Sequence, residues 1–80
     1  MNEIWKWYGD DYVAHCCRRV DYETLMQLSG VRHRSKYLSD GPVEYDILFP
    51  ARQYNRVASQ LGLRQKKPKT FGSVPQRLTG

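Results

Sequence analysis

One amphipathic stretch, residues 50–63 with the sequence PARQYNRVASQLGL, constrains the fold of this chain more than any other segment. Its apolar residues recur at positions i, i+3, i+4 and i+7, the spacing that gathers side chains on one face of an α-helix. These residues are Tyr54, Val57, Ala58 and Leu61. Pro50 suits the first turn of such a helix, and Gly62 followed by Leu63 is typical of a left-handed helix ending. The pattern predicts a helix over residues 50–63 that docks on a core through this face.

The same ending occurs earlier, at Gly30 and Val31, and predicts a helix over residues 22–29. Asp21 suits the N-cap of that helix, and Val20 and Leu25 suit a hydrophobic staple around the cap. A further helix is predicted over residues 11–20, because a glycine breaks the chain just before it and two acidic residues favour a helix start. Its apolar face would hold Val13, Cys16, Cys17 and Val20.

Apolar and polar residues alternate over residues 43–49, which predicts a half-buried β-strand. The turn signal S-D-G-P at residues 39–42 precedes it, so residues 35–38 are expected to pair with that strand as a hairpin. Residues 2–8 carry Trp5 and Trp7 and fit a helical face and a strand alternation equally. Together these elements predict an α+β fold, a small single domain of about three helices plus a β-hairpin.

The charge divides the chain in two. Residues 1–63 hold eight Lys/Arg and eight Asp/Glu, whereas residues 64–80 hold five Lys/Arg and no acid, so the whole net charge of +5 lies on the last seventeen residues. We therefore predict a compact domain over 1–63 and an extended, partly disordered basic arm over 64–80. A neutral body with a cationic arm is typical of nucleic-acid contact, the alternative being a solvated tail that aids solubility.

The chain shows no pattern typical of an enzyme or a metal protein. It has no Gly-rich phosphate loop, no Cys-x-x-Cys and no His-x-x-x-His. On the predicted helix over 11–20, His15, Cys16 and Cys17 would point about 100° apart and converge poorly on one ion. We predict no enzymatic activity, no metal site and no cofactor.

The sequence shows neither a membrane-spanning segment nor a signal peptide at its first residues. No apolar run approaches the roughly 20 residues of a membrane span. The first eight residues carry Glu3 and Lys6 and show no cleavable hydrophobic segment. A cytoplasmic location without membrane contact is expected, and adjacent cysteines in such a chain make a structural disulfide improbable.

The residues around both glycine endings resemble the first helix and turn of helix-turn-helix DNA-binding proteins. That family places a small or apolar residue four positions before a turn glycine, and an apolar residue follows the glycine. LMQLSGV at residues 25–31 has this form, and Ala58, Gly62 and Leu63 match it more closely. The second half of the family pattern is missing, because Lys36 and Pro68 stand where the recognition helix has buried apolar residues.

The predicted order of helices, basic connection, hairpin, helix and basic tail is similar to that of small winged-helix proteins such as phage excisionases. The resemblance implies insertion of a helix in the major groove with a hairpin wing beside it. It also implies that His33, Arg34 and Lys36 lie near base edges or phosphates and that the tail lysines contact phosphates.

These features predict a non-enzymatic accessory or regulatory protein of a phage or mobile element that binds DNA, RNA or a nucleoprotein complex. The predicted nucleic-acid-binding residues are Arg32, His33, Arg34, Lys36, Arg52, Arg56, Arg64, Lys66, Lys67 and Lys69. The alternative is a small protein-binding inhibitor of a larger nucleoprotein complex, similar in kind to anti-CRISPR proteins. Its predicted contact residues are Trp5, Trp7, Tyr8 and Tyr12. Homodimerisation stays open for so small a core.

Overall fold

Four antiparallel strands form one sheet, and two short helices cover one of its faces. The structure is a computed structural model that describes residues 1–38 and 41–63. The strands are β1 (Glu3–Lys6), β2 (Asp11–Cys16), β3 (Arg32–Tyr37) and β4 (Glu44–Pro50), and their order across the sheet is β1-β2-β4-β3. The helices are α1 (Arg19–Leu25) and α2 (Tyr54–Gln60), with a short 3-10 turn over Ala51–Gln53 before α2. The predicted α+β class is therefore confirmed.

The register of the two central strands sorts the side chains between the faces. On the face under the helices, which we call the covered face, Ala14 lies opposite Ile47 and Tyr12 lies opposite Phe49. On the other side, the open face, His15 lies opposite Asp46. Because successive strand residues point to opposite faces, each central strand contributes to both.

The amphipathic face of α2 docks on the covered face as predicted. Tyr54, Val57, Ala58 and Leu61 are all buried. The Tyr54 ring meets Tyr12 edge-on with centroids 5.1 Å apart, an arrangement that favours aromatic pairs. The helix is shorter than expected, because Pro50 is the last residue of β4 instead of the first of the helix. The left-handed ending is confirmed: Gly62 has a φ of 68°, and the Leu63 N–H donates to the Ala58 carbonyl at 2.9 Å.

The predicted helix over residues 11–20 is wrong. Residues Asp11–Cys16 form β2, which pairs with β1 through a tight turn at Gly9, whose φ is 59°. Tyr12 and Val13 favour a strand, and the turn at Gly9 brings β2 back along β1. The supposed apolar face consequently splits, with Val13 on the open face and Cys16 in the covered core. The aromatic N-terminal segment is a strand as well.

The next helix begins earlier than predicted. Helix α1 starts at Arg19, so Asp21 lies in its first turn and is not the cap, while Val20 is 55% exposed and forms no staple. Asp21 is buried, and its carboxylate accepts one hydrogen bond from Gln60 of α2 at 3.0 Å and pairs with Arg18 at 3.3 Å. This tertiary contact between the helices outweighs the local capping pattern.

The chain runs through the same ββα unit twice, β1-β2-α1 and then β3-β4-α2. Each unit ends on a left-handed glycine, Gly30 with a φ of 82° and Gly62, followed by Val31 or Leu63, which pack on the core. The central β2–β4 pairing joins the units.

The predicted hairpin is confirmed as β3 and β4, while residues 39–40 of its turn and the predicted arm over 64–80 lie outside the described residues.

The helix-turn-helix resemblance predicts a recognition helix after each turn glycine, and the structure describes the residues after the first of them. Residues after Gly30 form the strand β3, so no recognition helix follows the first copy of the half-motif. The equivalent residues after Gly62 belong to 64–80 and are not described.

In the described part of the chain, no helix is long and apolar enough to cross a membrane.

Candidate functional site

The cationic residues predicted to bind nucleic acid are divided between the two faces by β3. On the open face, Arg32 pairs with Asp11 at 3.0 Å, and Arg34 lies 3.4 Å from the Asp46 carboxylate. The Arg34 guanidinium also stacks over the Trp7 ring at 4.7 Å. Both arginines are therefore held by acids and an aromatic ring of their own chain.

A β-bulge at the middle of β3 causes this division. The register shifts between His33 and Ser35, so Arg34 is the extra residue and turns to the open face. His33 points to the helix side, where its Nδ1 lies 3.1 Å from the Tyr22 hydroxyl. Lys36 lies beyond the bulge opposite Tyr45, whose side chain faces the helices.

Lys36 reaches a groove that sequence reasoning did not foresee. The start of α1 brings Arg18 and Arg19 to the same groove, which has a volume of about 460 Å³. Its remaining lining residues are Cys17, Pro42, Val43 and Tyr45. Arg18 and Arg19 have side chains 69% and 75% exposed, and their pairs with Asp21 and Glu23 measure 3.3 and 3.6 Å. We call this feature the cationic groove.

The other predicted cations do not join the groove. Arg52 donates from Nη2 to the Ser29 hydroxyl at 3.0 Å and holds the end of the first ββα unit. Arg56 is exposed on α2 and does not line the groove. Arg64, Lys66, Lys67 and Lys69 lie outside the described residues.

The aromatic residues of the alternative prediction are also separated. Trp5 and Trp7 are half-buried, and Tyr8 is 65% exposed at the β1–β2 turn. Tyr12 is buried in the covered core, stacked on Phe49 with centroids 5.7 Å apart. It is unavailable to a partner, which corrects its place among the predicted contact residues.

A polar cluster on the open face was missed by sequence reasoning. His15 donates from Nδ1 to Asp46 Oδ1 and from Nε2 to Glu44 Oε1, both at 2.7 Å. The second Asp46 oxygen accepts a hydrogen bond from the Tyr37 hydroxyl at 2.8 Å. Cys17 lies beside them, so that single donor atoms of His15, Cys17 and Glu44 are all within 4.8 Å of one another.

The electrostatics of the cluster follow from these contacts. Burial of the His15 ring, the largest effect, lowers its pKa, but the hydrogen bonds to Asp46 and Glu44 outweigh burial, so the pKa is raised overall. Hydrogen bonds from His15 and then from Cys17 lower the pKa of Glu44. Cys16 points into the opposite, covered core, where burial raises the pKa of its thiol to about 12.

The signal for this cluster was the spacing His-x-Cys. Residues i and i+2 diverge on a helix, but they point to the same side of a strand. The helix predicted over residues 11–20 therefore hid a pair that β2 and the residue after it bring together. Glu44 and Asp46 have the same spacing on β4, and only the β2–β4 register shows that the two pairs face each other.

Comparison of the chain with protein-family models, with curated proteins and with solved structures finds no match.

Proposed function

We propose that this protein binds nucleic acid without catalysing a reaction, and that it contacts phosphate groups through the cationic groove. The observation that carries the proposal is the convergence of Arg18, Arg19 and Lys36 from two separate elements on one groove. Phosphate contacts of Lys and Arg supply most of the affinity in sequence-independent binding. An accessory or regulatory role for such a protein is part of the same proposal.

The groove cations are available to a phosphate. Surface ion pairs contribute about 0–1 kcal/mol, so the pair of Arg19 with the exposed Glu23 exchanges readily for a phosphate oxygen. Arg18 is itself 69% exposed, although its partner Asp21 is buried. Among the described residues, the Lys36 ammonium has no acidic partner within salt-bridge distance. By contrast, Arg32 and Arg34 would first have to leave Asp11 and Asp46.

We propose that a single strand binds the groove more tightly than a duplex does. Pro42 and Val43 offer apolar surface beside the cations of the groove. Bases in single strands pack on such surface while the backbone meets the charges. The five cations of residues 64–80 add charge of the same sign, and we propose that they extend the contact along the backbone.

The test is fluorescence anisotropy of single-stranded RNA, single-stranded DNA and duplex DNA at several salt concentrations. Lys36→Gln is compared with Arg56→Gln, a charge-matched control outside the groove. We expect Lys36→Gln to weaken single-strand binding and to reduce the slope of log K against log salt by about 0.7. A third variant, with Lys66, Lys67 and Lys69 changed to Gln, should reduce that slope further.

Two results would contradict the proposal. One is an absence of binding to all three nucleic acids at low salt by a folded wild-type chain. The other is an equal loss of affinity in Lys36→Gln and Arg56→Gln, which would show that overall charge matters and the groove does not.

A second candidate function is binding of a protein partner through the open face. No helix of the described chain covers that face, which carries the half-buried Trp5 and Trp7 beside Arg34. Its acids, Glu3, Asp11, Glu44 and Asp46, outnumber its arginines and disfavour a nucleic acid there. A protein with a basic surface would fit, and the chain would then act as an inhibitor of a nucleoprotein complex. Tyr8→Ala should weaken that binding and leave anisotropy with nucleic acid unchanged.

A further inference from the structure

We propose that His15, Cys17 and Glu44 form a binding site for a divalent metal ion of the zinc class on the open face of the sheet. The proposal is independent of nucleic-acid binding. It rests on the chemistry of the three donor groups, on their separation and on the hydrogen bonds behind the histidine.

The three side chains supply the donor types that zinc takes in proteins. Zinc is bound by cysteine sulfur, histidine nitrogen and carboxylate oxygen, usually in a tetrahedron. The ends of β2 and β4 bring one of each together, with all three donor atoms within 4.8 Å of one another. Three protein ligands leave a fourth position for water, the coordination found at open zinc sites.

The separations need only small adjustments. In a zinc tetrahedron with ordinary bond lengths, ligand atoms lie about 3.4–3.6 Å apart. His15 Nε2 and Glu44 Oε1, now 2.7 Å apart, must separate by about 0.7 Å. The Cys17 sulfur, within 4.8 Å of the other two donor atoms, must approach them by at most about 1.2 Å. Cys17 follows the end of β2 and Glu44 begins β4, so both donors lie at strand ends.

The hydrogen bonds behind His15 match those of metal-binding histidines. A metal-bound imidazole almost always donates its second N–H to a carboxylate or carbonyl, which fixes the ring and its tautomer. Here Nδ1 donates to Asp46 at 2.7 Å, and Nε2 lies 2.7 Å from Glu44 Oε1. Asp46 is 1% exposed and is itself held by the Tyr37 hydroxyl and Arg34. Asp46 is therefore a positioning residue for the proposed ligand.

The proton balance is simple. The metal ion takes the place of the proton between His15 Nε2 and Glu44, and it displaces the proton of the Cys17 thiol. At neutral pH, binding releases up to about two protons per ion, as expected when ligands must be deprotonated. The Nδ1 proton stays between His15 and Asp46.

The experiment is titration of the full-length chain, stripped of metal by a chelator, with Co²⁺ and then with Zn²⁺ in competition. A thiolate-to-cobalt charge-transfer band and intense visible absorption are expected at one ion per chain. Cys17→Ala should abolish the charge-transfer band, while Cys16→Ala, which removes the buried neighbouring thiol, should retain it. His15→Gln should weaken binding by more than about 100-fold, and His33→Gln should not.

Two further variants keep the test informative if one substitution impairs folding. Glu44→Gln preserves shape at a partly exposed position and should weaken binding strongly. Tyr37→Phe removes only the hydroxyl that holds Asp46 and should weaken binding by about 10-fold. A folded chain that binds no cobalt would overturn the proposal. So would binding that is unchanged in both Cys17→Ala and His15→Gln.

Discussion

The two faces of the sheet are stabilised by different means, although the same strands build both. On the covered face, Ile47 and Phe49 are fully buried in an apolar core, where shape and volume decide the packing. On the open face, Asp46 is buried equally well, but by hydrogen bonds from His15, Tyr37 and Arg34. The covered face should tolerate replacement of one apolar side chain by another of similar volume. The stability of the open face depends on each hydrogen-bond donor having its acceptor.

The largest effect is expected from the covered face. Phe49→Ala should lower the free energy of unfolding by about 3–5 kcal/mol, because it removes a fully buried ring and leaves a cavity. Leu48→Ala, the neighbouring change on the half-buried open side, should cost less. Urea unfolding followed by tryptophan fluorescence measures both. Equal losses would mean that the open face is packed as the core is.

A smaller effect is expected for the buried carboxylate. Asp46→Asn should cost about 1–3 kcal/mol, because His15, Tyr37 and Arg34 lose a charged acceptor. Glu44→Gln, at the partly exposed partner of the same histidine, should cost clearly less because solvent screens that pair. The same denaturation experiment, with a chelator present, tests both changes. A greater loss of unfolding free energy in Glu44→Gln than in Asp46→Asn would contradict the expectation that the buried carboxylate contributes more than the partly exposed one.

The smallest effect is a dependence of stability on pH. The titratable and charged groups around the His15 ring are Glu3, Cys17, Arg34, Tyr37, Glu44 and Asp46. Because the folded chain raises the His15 pKa, its stabilising contribution is complete below the usual histidine value and is lost as pH rises through the raised value. In chelator, wild type should lose stability relative to His15→Gln as pH rises above the usual histidine pKa of about 6.5. Parallel curves would show that the His15 bonds are no stronger when the ring is charged.

Sequence patterns predicted the elements that depend on local spacing. The strand over 43–49, the buried face of α2 and the left-handed Gly30 and Gly62 all follow from spacing within a dozen residues. The segment over 11–20 failed because its strand is stabilised by pairing with β1 and with β4, which local spacing does not show.

The sites were predicted only in part for the same reason. Lys36 was among the predicted cations, whereas Arg18 and Arg19, which lie at the start of α1, were not. The facing pairs His15–Cys17 and Glu44–Asp46 depend on the β2–β4 register, between residues about thirty positions apart. The spacing of residues within one strand does not indicate which strand pairs with it.

The repeated ββα unit has a consequence for how two copies of the chain can meet. Each unit presents one central strand, β2 or β4, which pairs on one edge within its own unit and on the other edge with the other unit. The connection over residues 26–31, which includes Gly30, is the covalent link between them. If that connection opened, the first unit of one molecule could pair with the second unit of another and rebuild the β2–β4 contacts in an exchanged dimer. Refolding at high concentration is the condition that favours such an exchange.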